Sequence, residues 1–240
     1  MARAVSRLDA GMTTLSIIIP CLDEAGGISA TLKALSPMRG RGVEVIVVDG
    51  GSSDDTVALA ASGADLVVLA ERGRARQMNA GAVQARGEIL LFLHADSCLP
   101  ERAEELIRNA LDAGGSWGRF DVTIRGEGPL LKLIATSMNL RSRCTGIATG
   151  DQALFVTRQL FREVGGFPEV PLMEDVALTT ALKRRCHPLC LRERVSTSGR
   201  RWEKHGVLRT ILLMWQLRLA YWLGVDPHKL ASRYVPPSHS

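Results

Sequence analysis

Apolar positions along this chain fall into short unbroken runs that stop abruptly at acidic and small residues. The first is Leu15-Ser-Ile-Ile-Ile-Pro-Cys-Leu-Asp-Glu24. About one βα unit later comes Val43-Glu-Val-Ile-Val-Val-Asp-Gly-Gly-Ser-Ser-Asp-Asp-Thr56, and then Glu88-Ile-Leu-Leu-Phe-Leu-His94. Runs apolar at every position, not at alternate ones, predict strands buried on both faces, as in a parallel sheet. Strands are therefore expected over residues 15–20, 43–49, 65–70 and 88–94, with Pro20 ending the first. Helical spacing intervenes near 27–35 and 74–85. Residues 37–42 read as a connection, Ser53 or Asp54 as the cap of a helix, and Pro100 as the start of the next one. The β-α-β-α-β-α-β rhythm predicts an α/β fold, Rossmann-like and mostly parallel, with helices on both faces.

After residue 115 the pattern changes. A strand is expected over 116–124, a helix over 129–142, and a glycine-bearing turn from Gly146 leading into a strand at Phe155. Short helices follow at 158–164 and 174–185, then a long apolar helix over 205–223 and a mixed tail. The chain reads as one domain over 1–240, with a nucleotide-binding half at 15–114 and an acceptor-side half at 115–240.

Composition narrows the class. At 240 residues, 46% hydrophobic and 23% charged, the chain is an ordinary globular one. No internal repeat or low-complexity run occurs, and no apolar run reaches the ~18–20 residues of a membrane span. Residues 1–12 have no apolar core of the kind a signal peptide carries. The five cysteines are odd in number and lack zinc-site spacing, which reads as reduced thiols in a cytoplasmic protein. Cys21 reads as a small residue beside a site. The net charge of +5 hides an asymmetry: residues 183–240 hold 12 Lys/Arg against 3 Asp/Glu, a balance of +9, and the remainder is at −4. That basic quarter either contacts something anionic or is a solvated surface. The basic residues follow no nucleic-acid motif, so nucleic acid is not an expected partner. The apolar helix near the C-terminus reads as core or a homodimer face, with peripheral contact at the inner membrane face as the alternative.

The chemistry gathers at predicted strand ends, where open α/β sheets bind ligands. Asp23, Glu24 and Asp49 can accept from the N–H groups of a base or from ribose hydroxyls, and Gly50 allows close approach. No G-x-G-x-x-G follows the first strand, and there is no Walker A motif. The motifs Ile18-Ile-Pro-Cys-Leu-Asp-Glu24, Val47-Val-Asp-Gly-Gly-Ser-Ser-Asp-Asp-Thr56, Asn79-Ala-Gly81, Leu91-Phe-Leu-His-Ala-Asp96, Gly150-Asp-Gln152, Gly165-Gly-Phe167 and Met173-Glu-Asp-Val176 resemble the family 2 glycosyltransferases. Leu-His-Ala-Asp-Ser, Pro-Leu-Met-Glu-Asp-Val and Arg-Arg-Trp-Glu-Lys-His further resemble a bacterial subgroup known as selenodomain-associated transferase 2, a name that defines no reaction.

The resemblance implies a GT-A fold, a nucleotide-diphosphate sugar donor (most often a UDP-sugar), Mg²⁺ or Mn²⁺, and inversion at the sugar carbon. It implies that Pro20, Asp23, Glu24, Asp49 and Gly50 hold the nucleoside, that Asp96 holds the metal, and that Glu174-Asp175 supplies the base. Asp175 is expected to take the acceptor proton, with Glu174 orienting it or touching the acceptor. Position 94 is His where the family usually carries an acid, so the metal site is thin, with His94 and His205 as further contacts to consider. Arg76 and Asn79 are expected near the donor, and Gln152 near the donor sugar or acceptor. Arg201 and Trp202 are expected on diphosphate and sugar ring. Two other readings remain: a sugar-phosphate nucleotidyltransferase, and a non-catalytic nucleotide- or membrane-surface-binding protein.

Overall fold

The computed structural model describes residues 14–126, 128–199 and 207–234. The first half forms β1 (Leu15–Cys21), α1 (Ile28–Arg39), β2 (Glu44–Asp49), α2 (Thr56–Ala61), β3 (Leu66–Leu69), α3 (Arg74–Gln84), β4 (Ile89–Phe92) and α4 (Ala103–Asp112). The second half forms β5 (Trp117–Arg125), α5 (Pro129–Thr145), a short 3₁₀ turn (Gly150–Gln152), β6 (Leu154–Thr157), α6 (Arg158–Glu163) and α7 (Glu174–Lys183). It ends with β7 (Leu189–Ser198), α8 (Val207–Trp222) and α9 (Pro227–Tyr234).

All seven strands join one sheet in the order β3-β2-β1-β4-β6-β5-β7. The first four are mutually parallel, in register from Ser16–Glu44 to Cys21–Asp49 between β1 and β2. β6 then runs antiparallel to both β4 and β5, and β7 lies parallel to β5. The chain moves outward through β1, β2 and β3 and returns to place β4 on the other side of β1. That reversal opens a crevice at the strands' carboxyl ends.

Alternation along each strand assigns its side chains to two cores. Ile17, Ile19, Val45, Val47, Ile89 and Leu91 face α1 and α4, which contribute Leu32, Leu35, Ala103 and Ile107. Ile18, Ile46, Val48, Leu90 and Phe92 face α3, α6 and α7, which contribute Met78, Ala82, Phe161, Leu178 and Leu182. Gly81 lets α3 lie against the sheet, since a Cβ there would stand 2.5 Å from Ile18 Cγ2. Phe92, Phe161 and Phe167 interlock, with the first and last edge-to-face at 4.8 Å.

Several local expectations are corrected. α1 runs through Pro37 to Arg39 instead of ending before it. Pro37 and Lys33 are both exposed, so the carbonyl that loses its helical bond is on the solvent side. Pro100 does not open α4; residues 101–102 turn first, and Arg102 takes a left-handed φ of 56° before Ala103. β7 was not foreseen. The helix expected over 205–223 is confined to Val207–Trp222 among the described residues, and no helix described is long and apolar enough to cross a membrane.

Candidate functional site

The crevice is a cleft of about 530 Å³. Its floor is the ends of β1 and β4, with Pro20, Cys21, Glu24, His94 and Asp96. One wall carries Arg72 and Arg74 at the start of α3. The opposite wall carries Gly150, Glu174 and Asp175, with Thr210, Met214 and Arg218 of α8 beyond.

Asp23, Glu24 and Asp49, the acids expected at the nucleoside, are tied into the loops that shape this floor. Asp49 is fully buried, and its Oδ2 accepts the N–H groups of Gly51 and Ser52 at 2.8 and 2.9 Å. The Ser52 hydroxyl donates to its other oxygen. Asp23, in a left-handed conformation at φ 52°, accepts the N–H of Ser53 at 2.7 Å and donates its own N–H to Ser52 Oγ. The Glu24 N–H donates to Thr56 Oγ1 at 2.8 Å. The loops after β1 and β2 are thus stitched together, and the Glu24 residue between them lines the cleft. Asp54, one of the two expected caps, accepts the N–H of Thr56 at the start of α2.

Gln77 escaped the sequence reading. Its Nε2 donates to the carbonyls of Cys21 and Val48, each at 2.8 Å, bridging two strand ends. A Cβ at position 50 would lie 3.0 Å from the Gln77 amide, which gives Gly50 its packing role. Gln77 is buried with Ala75, Met78 and Ala82 on α3, a setting the fold supplies. Burial first, then Glu24 and Asp49, push the Cys21 thiol up to about 12, away from the range of a nucleophile.

On the far wall, Asp175 Oδ2 accepts the Gly150 N–H at 2.9 Å and Oδ1 accepts the Val176 N–H at 2.7 Å. Both restrain a carboxylate that borders the cleft. Glu174 is buried, with Arg74 3.9 Å away. Burial, and then the Asp175 charge, push its carboxyl above the usual carboxylate range, against the opposing pull of Arg74 and His94. Met173, in the left-handed region at φ 69°, sets the approach to these two acids.

Other expected residues are not brought to the cleft. Arg76 pairs with Glu71 at 2.7 Å and Glu169 at 3.2 Å. Asn79 makes a two-bond clamp on the Phe167 backbone, accepting at 2.9 Å and donating at 2.8 Å. Gln152 is fully buried and accepts the Thr149 N–H at 3.3 Å, holding the 3₁₀ turn that presents Gly150. Arg201, Trp202 and His205 lie outside the described residues.

The donor set for a divalent metal is limited. Among the described residues, no group of three or more His, Cys, Asp or Glu side chains comes together. His94 sits with Nδ1 3.3 Å from Asp151, and a Cβ at position 150 would lie only 2.4 Å from its Nε2. The ring is therefore packed on the chain at that nitrogen. Asp96 remains the strand-end carboxylate facing the cleft, and Arg125 donates to its backbone carbonyl. One carboxylate suits Mg²⁺ or Mn²⁺ held jointly by substrate phosphates and water, and does not suit an all-protein cage.

A mostly parallel sheet in this order, with an antiparallel β6 inserted and acids at the strand ends, is the GT-A arrangement. The sequence model of glycosyl transferase family 2 matches residues 16–160, and the chain belongs to that family. An uncharacterised glycosyltransferase of Mycobacterium tuberculosis is 30% identical over 132 residues, which cover 52% of this chain and 45% of that one. The chain spans less than half the length of the curated relatives it matches. A mannosyltransferase of Pyrobaculum calidifontis, solved with GDP-Man and Mn²⁺, superposes with a TM-score of 0.63 at 23% identity, over 91% of this chain and 64% of that one. TarS of S. aureus, solved with UDP-GlcNAc, gives 0.63 at 21%, over 77% and 58%. At these identities the structural likeness bears on the fold.

Proposed function

We propose that this protein transfers a sugar, with inversion, from a nucleotide-diphosphate donor to an acceptor hydroxyl. The observation that carries the reading is one cleft with Asp96 on its floor and the restrained Asp175 carboxylate on its far wall. Residues 15–114 bind the donor. Pro20, Asp23, Glu24, Asp49 and Gly50 form its nucleoside side, and Arg72 and Arg74 give cationic partners for phosphate. Residues 115–240 bind the acceptor. Asn79, Arg76 and Gln152 act at one remove, by holding the loops that border the cleft.

The reaction is a single displacement. The acceptor oxygen attacks the anomeric carbon, the bond from that carbon to the diphosphate oxygen breaks, and the nucleoside diphosphate leaves. Asp175 receives the acceptor proton, a role that typically contributes about 10²- to 10⁴-fold. Its two backbone N–H bonds orient the carboxylate, and burial together with the Asp175 charge holds the Glu174 carboxyl above the usual carboxylate range. Asp96 would hold a divalent metal, which when bound neutralises charge on the departing diphosphate.

Support for a donor of this class comes from the family and from related folds that bind UDP-GlcNAc or GDP-Man. Titrating UDP, GDP and their sugars, with and without Mn²⁺, into wild type and Asp96→Ala tests it. Binding of one nucleotide that weakens in the variant, with release of nucleoside diphosphate and an inverted sugar by NMR, is expected. Pyrophosphate release would identify a nucleotidyltransferase instead, and binding without turnover a non-catalytic protein.

A peripheral membrane location is favoured by one observation. On α8, Leu212, Trp215, Leu219 and Trp222 expose 58–80% of their surface along one face. Co-sedimentation with anionic vesicles tests that placement. A monomer–dimer equilibrium without lipid binding would assign the face to a second copy.

A further inference from the structure

α5 and α8 meet behind the acceptor wall, where Ile211 packs on Leu131, Ile134 and Ala135. Leu217 of α8 is buried against Met173, the residue preceding Glu174 and Asp175. This packing puts Arg218 in the lining of the cleft and leaves Arg141 behind it, within electrostatic reach of Arg218 and Asp175. Arg218, next to Leu217, lines the cleft with Met214 and Thr210. Arg141 lies one turn beyond Met138, which also lines it.

Arg141 is an anomaly for a guanidinium. Its Nη1 donates to the Ile147 carbonyl at 3.2 Å, while its Nε and Nη2 are buried with no partner. Among the described residues, neither Arg141 nor Arg218 forms an ion pair. The nearby Arg119 shows what a finished site looks like here. It is fully buried, but pairs with Asp121 and bonds Ser142 Oγ at 3.1 Å and the Asn139 carbonyl at 3.2 Å. Burial, and then the positive charge of Arg218, lower the Arg141 pKa to about 10, with Asp175 the one carboxylate opposing them. Both Asp175 oxygens already accept backbone N–H groups. Arg141 therefore has one partly engaged anion nearby and a second cation beside it, and its buried, unpartnered Nε and Nη2 call for another negative partner.

We infer that Arg141 and Arg218 form an anion subsite at the acceptor end of the cleft, and that the acceptor carries a phosphate or carboxylate which this subsite holds while its hydroxyl faces Asp175. The inference rests on the transferase reading for the word acceptor, but the subsite itself does not depend on it. Planar, multi-donor guanidinium groups suit tetrahedral and trigonal oxyanions better than a neutral sugar does. The anion belongs either to a small soluble phosphate ester or to a lipid headgroup.

The test is calorimetric titration of inorganic phosphate into protein already saturated with Mn²⁺ and whichever nucleoside diphosphate binds. One saturable phosphate site is expected, weakened about tenfold or more in Arg218→Gln and partly kept in Arg141→Lys. Arg209→Gln, on the exposed side of α8, should behave as wild type. Nucleotide binding with no phosphate site, or a site indifferent to Arg218→Gln, overturns the inference while leaving the transferase reading standing. Failure of every nucleotide to bind, with an Arg218-dependent phosphate site retained, overturns the transferase reading and leaves the subsite. Adding glycerol 3-phosphate in one arm and phosphatidylglycerol against phosphatidylcholine vesicles in another separates soluble from lipid sources.

Discussion

The two sides of the sheet use polar residues in opposite ways. Along β3-β2-β1-β4, the strand-end acids are engaged in shaping their own loops: Asp49 holds the turn after β2, Asp23 ties two loops together, and Gln77 bridges two strand ends. On the wall built by α7, α5 and α8, Asp175 and Glu174 border the cleft and Arg141 is incompletely partnered. Strand-end groups engaged in holding their own loops suit a constant ligand moiety. A wall with unsatisfied groups suits the partner that varies and the group that changes charge during reaction.

The largest expected effect sits on the second side. Asp175→Asn should lower turnover by about 10²- to 10⁴-fold, with nucleotide affinity unchanged by calorimetry. If affinity falls as far as turnover, the two sides are not functionally separate. Next is Gln77→Ala, which leaves two strand-end carbonyls without their donor and should cost about 1–3 kcal/mol in urea denaturation, together with weaker nucleotide binding. Asn79→Ala removes two bonds to Phe167 and should destabilise by a similar ~1–3 kcal/mol while nucleotide affinity stays near wild type.

A subtler contrast is electrostatic. The Glu174 carboxyl has a higher pKa folded than unfolded, so the native state binds more protons in the window between the two values. Stability should fall as pH rises from about 4.3 through that raised pKa. Glu174→Gln should flatten this part of the urea-midpoint profile. An identical slope in both proteins would show that the burial of Glu174 carries no such linkage. The smallest effect is on thiols: at pH 8 Cys21 should resist a thiol reagent in the native protein, whereas the exposed Cys144 reacts. Rapid labelling of Cys21 would mean that the floor of the cleft opens.

What the sequence made legible follows the same division. β1, β2 and β4 are apolar at nearly every position because both faces are covered, and the expected limits of β1 to β4 match those observed to within about two residues. β7 was invisible because Arg192, Glu193 and Arg194 interrupt it. These three are exposed where the register with β5 shifts between Phe120 and Asp121. Asp96 stands at a strand's carboxyl end and Asp175, expected through the family resemblance, at a helix start, and both border the cleft. Gln77, Arg141 and Arg218 were not legible, because each is a single polar residue within a helix and its significance depends on which neighbours the tertiary fold supplies. Arg76 and Asn79 show the converse. A helix start bearing arginines, and the family resemblance, pointed to the donor, but Glu71, Glu169 and the Phe167 backbone engage these two side chains.

The placement of α8 also has a consequence for the order in which the molecule assembles. The parallel strands β1, β2, β3 and β4 are joined by successive short crossovers, so their contacts close modest loops. The wall bearing Thr210, Met214 and Arg218 meets the ends of β1 and β4 only across more than a hundred residues of chain. Loop-closure entropy sets such long-range docking late in folding. A refolding experiment followed at Trp215 should therefore lag one followed by β-sheet formation, and the sheet should be in place before the cleft has its second wall.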